Sequence, residues 1–375
     1  IYVSHKVNEA KLEKLKQAGI STIEIDLGKN TETISTDELS DVLLYKGENK
    51  MSTKNRILEL LEQQRGESIS GEHLAGVLGI SRNAVWKAIK ELQKDGYNIV
   101  AVTNKGYCLS AENDIISIPG IKPFLSERSQ FYANKIQVHK SLESTNKTAK
   151  EMAVAGAEHG TIIIADCQTM GRGRYSRNFF SPSGGGLYMS IVLRPEAMHF
   201  KNPTSVTAFA AVSVCEAIES ISTKVPRIKW VNDIFIDGKK VCGILTEAVT
   251  DFESGGLDWV VLGIGINVHT RTEDFPCDLQ SIATSIYPDE KMSGVRNRLS
   301  AEIINRILGF ETLPSETEIF EKYKKRLMVL GKKITVIQNQ VEYKATAIDV
   351  DSVGRLIVKN ESGERITLSS GEIRI

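Results

Sequence analysis

The sequence predicts an α+β protein of several domains, on three observations. Between about residues 136 and 268, short apolar runs and one largely apolar helical stretch follow the order strand, loop, strand, helix, strand hairpin, strand. That order fits a central mixed sheet covered on one side by helices. Upstream, residues 54–110 hold three short helical stripes and then two strand-like runs. From Gly331 onward the chain breaks into short strands separated by turns such as Asp351-Ser352-Val353-Gly354, which is the pattern of a small β-barrel.

Length and composition set limits on this reading. A chain of 375 residues exceeds what one hydrophobic core usually serves, so two or three domains are expected. The 47 basic and 47 acidic residues cancel, so overall charge argues for neither nucleic acid nor membrane, and DNA binding has to come from a local patch. Cys108, Cys167, Cys215, Cys242 and Cys277 are scattered and nowhere form a Cys-x-x-Cys pair, which fits a reducing compartment better than a disulfide frame or a zinc site. No run approaches the roughly 18 apolar residues of a membrane span, and the N-terminus lacks a signal-peptide core. The expected location is the cytoplasm, with no membrane partner.

Residues 1–50 stand apart as an extension or fused fragment without catalytic role. They read as strands at Ile1 to Ser4 and Ser21 to Leu27 with helices near Glu9 to Gln17 and Glu38 to Leu44, and Met51 looks like a natural start. Residues 51–112 form a compact unit. Ile57, Leu58 and Leu61 make one helical stripe, and Ser70-Gly71-Glu72 opens a second helix with Leu74, Val77 and Leu78 inward, ended by Gly79. Ser81 then caps a third helix whose core face is Ala84, Val85, Ala88, Ile89 and Leu92. Its outer face carries Arg82, Asn83, Trp86, Lys87, Lys90 and Lys94, and the hairpin after it has Lys105 at its tip. A glycine turn between short helices, a basic third helix and a wing agree on a winged helix-turn-helix. Ser81, Arg82, Asn83, Trp86, Lys87, Lys90 and Lys105 are the candidate DNA contacts, early helix residues toward base edges and lysines toward phosphates. Pro119, Gly120 and Pro123 mark residues 113–123 as a linker.

The stretch of most chemical interest follows the strand Thr161 to Ala165. Gln168-Thr169-Met170-Gly171-Arg172-Gly173-Arg174-Tyr175-Ser176-Arg177 sets three arginines among two glycines, an arrangement suited to binding carboxylate or phosphate oxygens and to remaining mobile until an anion neutralises it. Upstream, Ser144-Thr145-Asn146 caps the helix Lys147 to Ala155 and offers hydroxyls and free amides. Downstream, Arg227 to Ile236, the turn Asp237-Gly238 and Lys239 to Leu245 make a hairpin, with Lys229 opening one arm and Lys240 starting the other. In the strand Val260 to Val268, Gly263 and Gly265 mark a bulge or a close approach by ligand. Cations around glycine-bent strands, without a nucleophile and its base, suit the joining of two anions.

Gly-Arg-Gly-Arg, Lys-Trp-x-Asn-Asp followed by Lys-x-x-Gly-Ile-Leu, Gly-x-Gly-Ile-Asn and the upstream Ser-Thr-Asn occur here in the order found in biotin protein ligases. From about Met51 to Ile375 the chain resembles the bifunctional ligase/repressors of that family. The resemblance implies a ligase domain of the biotin/lipoate type over residues 124–328 and an SH3-like β-barrel over 329–375. It further implies that biotin and ATP, with Mg2+, give biotinyl-AMP, and that biotin then passes to a lysine of the biotin carboxyl carrier domain of acetyl-CoA carboxylase or another biotin-dependent carboxylase. Operator DNA and a ligand-promoted homodimer would be the regulatory partners. On this resemblance Lys240 lies beside the carboxylate and α-phosphate, Arg172 and Arg174 hold the phosphate, and Lys229 supports the charge. Ser144, Thr145, Asn146 and Gln168 contact biotin; Gly171, Gly173, Arg177, Gly263 and Gly265 shape the site; Asn232 and Asn267 lie near the nucleotide; Asp233 is the candidate magnesium contact. Val231 stands where the family has proline, and Phe179 where it commonly has tryptophan. Two alternatives remain open: a biotin-sensing repressor with little ligase activity, and a lipoate-type ligase.

Overall fold

The computed structural model describes residues 52–198, 200, 202–250, 257–290, 292, 294–338 and 341–375. The expectations for residues 1–50 fall outside the described residues.

In the first unit, α1 (Thr53–Gln63), α2 (Gly71–Leu78) and α3 (Arg82–Lys94) pack on a three-stranded sheet of β1 (Ser68–Ile69), β2 (Ile99–Val102) and β3 (Gly106–Leu109), in the order β1-β3-β2. Each helix begins where a serine hydroxyl accepts a backbone N–H three residues on: Ser52 from Asn55, Ser70 from His73, Ser81 from Ala84. Such caps satisfy amides that a first turn leaves free. Gly79 closes α2 in the left-handed region at φ 66°, where a side chain would be strained. The core is Ile57, Leu58, Leu61, Leu74, Val85, Ile89 and Leu92. Val77, expected inside, is exposed, because α2 faces the core through Leu74, Ala75 and Leu78 and Val77 lies roughly 100° round the helix from the centre of that face.

Residues 113–123, expected as a linker, are packed against the rest of the protein. Asn113, Asp114, Ser117, Pro119, Gly120 and Ile121 are buried, and Ile118–Ile121 form one helical turn, α4. The residues that suggested irregular chain serve packing instead. Pro119 sits in the first turn, where its missing N–H costs no hydrogen bond. Gly120 admits the Asn297 amide, which a Cβ would meet at 2.4 Å.

The central sheet has seven strands: β4 (Ile136–His139), β5 (Thr161–Ala165), β6 (Gly186–Leu193), β7 (Arg227–Lys229), β8 (Asp233–Ile236), β9 (Lys239–Thr250) and β10 (Leu257–Asn267). Their order is β4-β5-β6-β10-β9-β8-β7, with β4 and β5 parallel and the other pairs antiparallel. Helices cover both faces, not one. On one side Ala149 and Ala153 of α5 (Thr145–Val154) meet Ile163, Val192 and Val261. On the other, α7 (Pro203–Ile221) and α8 (Val295–Leu308) pack over Ile162, Ile164, Ile191 and Leu262, with α6 (Pro195–Met198) leading into α7. The 19 residues of α7 are apolar enough to span a membrane, which the sequence did not suggest; 72% of its most apolar window is buried within the protein, so it is a core helix. After α9 (Glu316–Arg326) the last five strands, β11 (Lys333–Gln338), β12 (Val341–Val350), β13 (Leu356–Asn360), β14 (Arg365–Leu368) and β15 (Glu372–Arg374), form an antiparallel sheet ordered β14-β13-β12-β11-β15. The sequence did not suggest β15.

Candidate active site and DNA-contact helix

One cavity of about 570 Å³ gathers nearly every residue singled out from the sequence. Ser144, Thr145, Asn146, Gln168, Arg172, Gly173, Arg174, Arg177, Lys229, Asn232, Asp233, Lys240, Gly263, Gly265 and Asn267 line it. Gly171 lies behind the wall, where a Cβ would meet the Phe179 carbonyl at 2.5 Å and the Ser181 hydroxyl at 2.6 Å.

Ser144-Thr145-Asn146 does more than start a helix. Helix α5 already includes Thr145 and Asn146, and Ser144 makes no side-chain cap. The Thr145 N–H donates to Gln168 Oε1 at 2.9 Å, and the amide of Asn146 donates to Glu247 Oε2 at 2.9 Å. Gln168 in turn donates to the Ser181 hydroxyl at 3.0 Å. Gly263 and Gly265 make room for the protein's own side chains: a Cβ on Gly263 would lie 2.0 Å from Asn146 Oδ1, and one on Gly265 2.7 Å from the Phe179 ring. The close approach expected of a ligand is made first by these two residues.

The two lysines do not share one hairpin as expected. Trp230, Val231 and Asn232 form a turn that splits its first arm, so Lys229 ends β7 and pairs with Asp233 of β8, while Asp237-Gly238 joins β8 to β9. Both still reach the cavity. Lys240 Nζ is 2.7 Å from Asp233 Oδ1. Its backbone is fixed by exchange with Ile282 and Thr284, each bond 2.8 Å. Lys229 lies 5.7 Å from the centre of the Phe235 ring; burial lowers its pKa, with Asp233 and Glu372 opposing. Asn232 is held by donation to the Ile244 carbonyl and accepts from Arg174 Nη1 at 3.1 Å. Asn267 donates to the Thr284 carbonyl, a bond that fixes a loop.

The arginine loop closes on itself. Gly173 N–H donates to the Arg177 carbonyl at 2.7 Å and Phe179 N–H to that of Gly171 at 2.9 Å. Arg172 lies 3.7 Å from Glu143, and Arg177 forks onto Glu372 of β15 at 3.1 and 2.6 Å. That fork holds the Glu372 carboxyl below its usual range. Ser190, Glu247 and Glu372 are the residues that the sequence reading missed as parts of this site. Each reaches it through partners distant in sequence.

The expected DNA contacts are all exposed. Arg82, Asn83, Trp86, Lys87 and Lys90 point outward from α3, and Lys105 sits in the turn between β2 and β3. Ser81 is exposed but spends its hydroxyl on the Ala84 N–H. Asp95, an acidic neighbour of this face, is engaged by Lys54 at 2.9 Å.

Comparison with known proteins agrees with this architecture. Residues 53–108 match an HTH domain, 138–267 the Biotin/lipoate A/B protein ligase family, and 329–375 the Biotin protein ligase C terminal domain. The bifunctional ligase/repressor BirA of Bacillus subtilis is 42% identical over 237 residues, 63% of this chain and 71% of that protein. The protein of the same name from Bacillus spizizenii is 35% identical over 320 residues, 84% of this chain and 96% of its own length. Among solved structures, the biotin protein ligase from Aquifex aeolicus in complex with biotin and ATP superposes with a TM-score of 0.55 at 28% identity, over 64% of this chain and 97% of that one. With helix-turn-helix, ligase sheet and C-terminal sheet matched in the same order, the chain belongs to the biotin protein ligase family, in its bifunctional ligase/repressor branch.

Proposed function

We propose that this chain is an ATP-dependent biotin protein ligase that also serves as a biotin-responsive transcriptional repressor. The observation that carries the reading is the convergence of Lys240, Lys229, Arg172, Arg174 and Arg177 on one cavity whose inner wall is Thr145, Asn146 and Gln168. A carboxylate and an α-phosphate repel until cations neutralise both, and positioning supplies most of the catalysis of phosphoryl chemistry. One carboxylate oxygen of biotin attacks the α-phosphorus, the bond to the β,γ-unit breaks, and biotinyl-AMP and pyrophosphate form. A lysine amine of the carrier domain then attacks the acyl carbon and AMP leaves.

Lys240 is assigned to the developing charge between carboxylate and phosphate. Arg172 and Arg174 are assigned to the phosphate, and Lys229 to background charge. Several of these cations already hold acceptors of the chain's own, Lys240 on Asp233, Arg177 on Glu372 and Arg174 on Asn232, so an incoming phosphate competes with acceptors that keep the cations aimed at the cavity. Asp233, which pairs with Lys240 at 2.7 Å, is assigned as the contact for the magnesium of MgATP, a role that one carboxylate can fill together with the substrate phosphates.

The acceptor is the biotin carboxyl carrier domain of acetyl-CoA carboxylase or a similar carboxylase. The face of α3 with Lys105 is assigned to operator DNA, and the active unit on DNA is a homodimer favoured by the adenylate. A lipoate-type reading suits the cavity less, because Thr145, Asn146 and Gln168 line its inner wall with hydrogen-bonding groups that a dithiolane ring cannot use. Incubation with ATP and either biotin or lipoate, followed by mass spectrometry, tests the assignment. Biotinyl-AMP is expected, and lipoyl-AMP alone would overturn it.

A further inference from the structure

A closed hydrogen-bond relay runs beneath the inner wall of the cavity. Glu247 of β9 receives Lys150 Nζ on Oε1 at 2.8 Å and the Asn146 amide on Oε2 at 2.9 Å. Ser190 of β6, fully buried, lies 2.6 Å from Asn146 Oδ1 and 2.8 Å from Thr145 Oγ1. Thr145 lines the cavity, and its Oγ1 is 3.1 Å from Gln168 Oε1, which also accepts the Thr145 N–H at 2.9 Å.

The proton directions in this relay follow from counting donors. A salt-bridged carboxylate only accepts, so the NH2 of Asn146 faces Glu247 and its carbonyl oxygen faces Ser190. That oxygen also only accepts, so the single Ser190 proton goes to Asn146. Ser190 can then offer only a lone pair to Thr145, and the Thr145 proton points to Ser190, away from the cavity. Gln168 Oε1 keeps the backbone N–H of Thr145 at 2.9 Å, and its 3.1 Å contact with the Thr145 hydroxyl, longer than the 2.8 Å one to Ser190, is the one left without a proton. The Thr145 hydroxyl is left facing the cavity as an acceptor.

We propose that Glu247, acting through Asn146 and Ser190, is the positioning residue that fixes Thr145 as a hydrogen-bond acceptor for a ligand N–H donor, and thereby selects a cyclic urea head group. The inference rests on the biotin ligase reading above. A ureido ring brings N–H donors to such an acceptor, while a dithiolane brings none, and a polar group left unpaired in a closed pocket rejects the ligand that lacks the partner. Glu247 does not line the cavity and needs no contact with the ligand.

The test uses the full-length chain and the variants Glu247→Gln and Ser190→Ala. Glu247→Gln keeps the shape but adds a donor, which frees the Asn146 amide to turn; Ser190→Ala cuts the relay and frees the Thr145 proton. Biotin affinity is expected to fall roughly tenfold in each, the loss of about one hydrogen bond, with the KM for ATP unchanged. Biotin methylated at the ureido nitrogens supplies the second readout: methylation weakens binding to the unaltered protein strongly and to the variants much less. Equal biotin affinity in folded variants, parallel losses for biotin and ATP, or an undiminished methylation penalty in the variants would each overturn the inference. Absence of biotinyl-AMP from the unaltered protein would instead sink the ligase reading itself.

Discussion

Arg296 of α8 donates from Nε to Oδ2 of Asp114 across 2.6 Å, and from Nη1 to Oδ1 of Asp166 across 2.7 Å. Asp114 lies just past the helix-turn-helix unit, and Asp166 follows β5 two residues before Gln168. A single buried guanidinium therefore ties the exit of the DNA-binding unit to the start of the arginine loop. Burial opposes ionisation of Asp114, but His269 and Arg296 outweigh it and hold the carboxyl below its usual range. Asp166 is likewise lowered, with Ser183 and Arg296 overcoming burial.

This cluster predicts both a mutant and a pH effect. Replacing Arg296 by Met takes the guanidinium from the buried Asp114 carboxylate and the partly exposed Asp166 carboxylate, and the loss of one partner of a buried pair costs about 3–5 kcal/mol. The native carboxyls bind protons less readily than the unfolded chain does. Their contribution is thus complete above the unfolded carboxylate pKa near ~4 and fades as pH falls through the lower native values. Urea titrations between pH 3 and 7 should show a steeper acid loss in the unaltered protein than in Arg296→Met. Parallel curves would show that the cluster is not the acid-sensitive element.

A second prediction concerns Lys240→Ala. Lys240 is a half-exposed cation at the cavity wall, so its removal spares the fold while taking away stabilisation of charge that develops in the transition state. Removal of one such group commonly costs about 2.7–4 kcal/mol. Biotinyl-AMP synthesis should fall roughly 100- to 1000-fold, with the melting temperature nearly unchanged. Near-normal synthesis would remove Lys240 from the catalytic assignment.

Gly263→Ala should act on biotin more than on ATP. Its new Cβ would lie 2.0 Å from Asn146 Oδ1, and Asn146 cannot yield without disturbing its bonds to Ser190 and Glu247. Overpacking of this kind typically costs 1–3 kcal/mol. Calorimetric titrations should show biotin affinity reduced about tenfold or more, and a smaller change for ATP. An unchanged biotin isotherm would mean that Asn146 moves freely.

What was readable in the sequence, and what was not, follows the reach of each interaction. The arginine loop, the Asp237-Gly238 turn and the capped helices α2 and α3 rest on neighbours in the chain, so local pattern sufficed. The expectation of helices on one face only passed over Ile162-Ile163-Ile164, a continuous apolar run that needs cover on both sides of a sheet. The packing of residues 113–123 was not legible, because prolines and glycines punctuate packed segments as well as loose ones, and only the long-range contacts of Asp114 and Gly120 tell them apart. Glu372, Ser190 and Glu247 gave no sign, since each acts on a residue tens to hundreds of positions away.

The last prediction joins the two functions. The exposed face of α3 is a small patch, Arg82, Lys87 and Lys90, with Lys105 on the wing and Asp95 neutralised by Lys54. A patch of this size binds DNA weakly alone, and specific control needs two copies on a symmetric site. Lys87→Ala should lower the salt dependence of DNA binding by about one unit of slope, as expected for a phosphate contact. The connection to the ligand passes through the arginine loop. Among the described residues the Arg172 guanidinium holds one long contact, to Glu143 at 3.7 Å, so a phosphate can recruit it at little cost and shift the surface around it. Linkage limits the size of the effect: the adenylate promotes dimerisation only as far as it binds the dimer more tightly than the monomer. Biotinyl-AMP should strengthen self-association and operator affinity together, and Arg172→Ala should weaken that coupling while leaving non-specific DNA binding intact. Sedimentation and operator titrations with and without biotinyl-AMP measure both, and superimposable curves in the two conditions would refute the coupling.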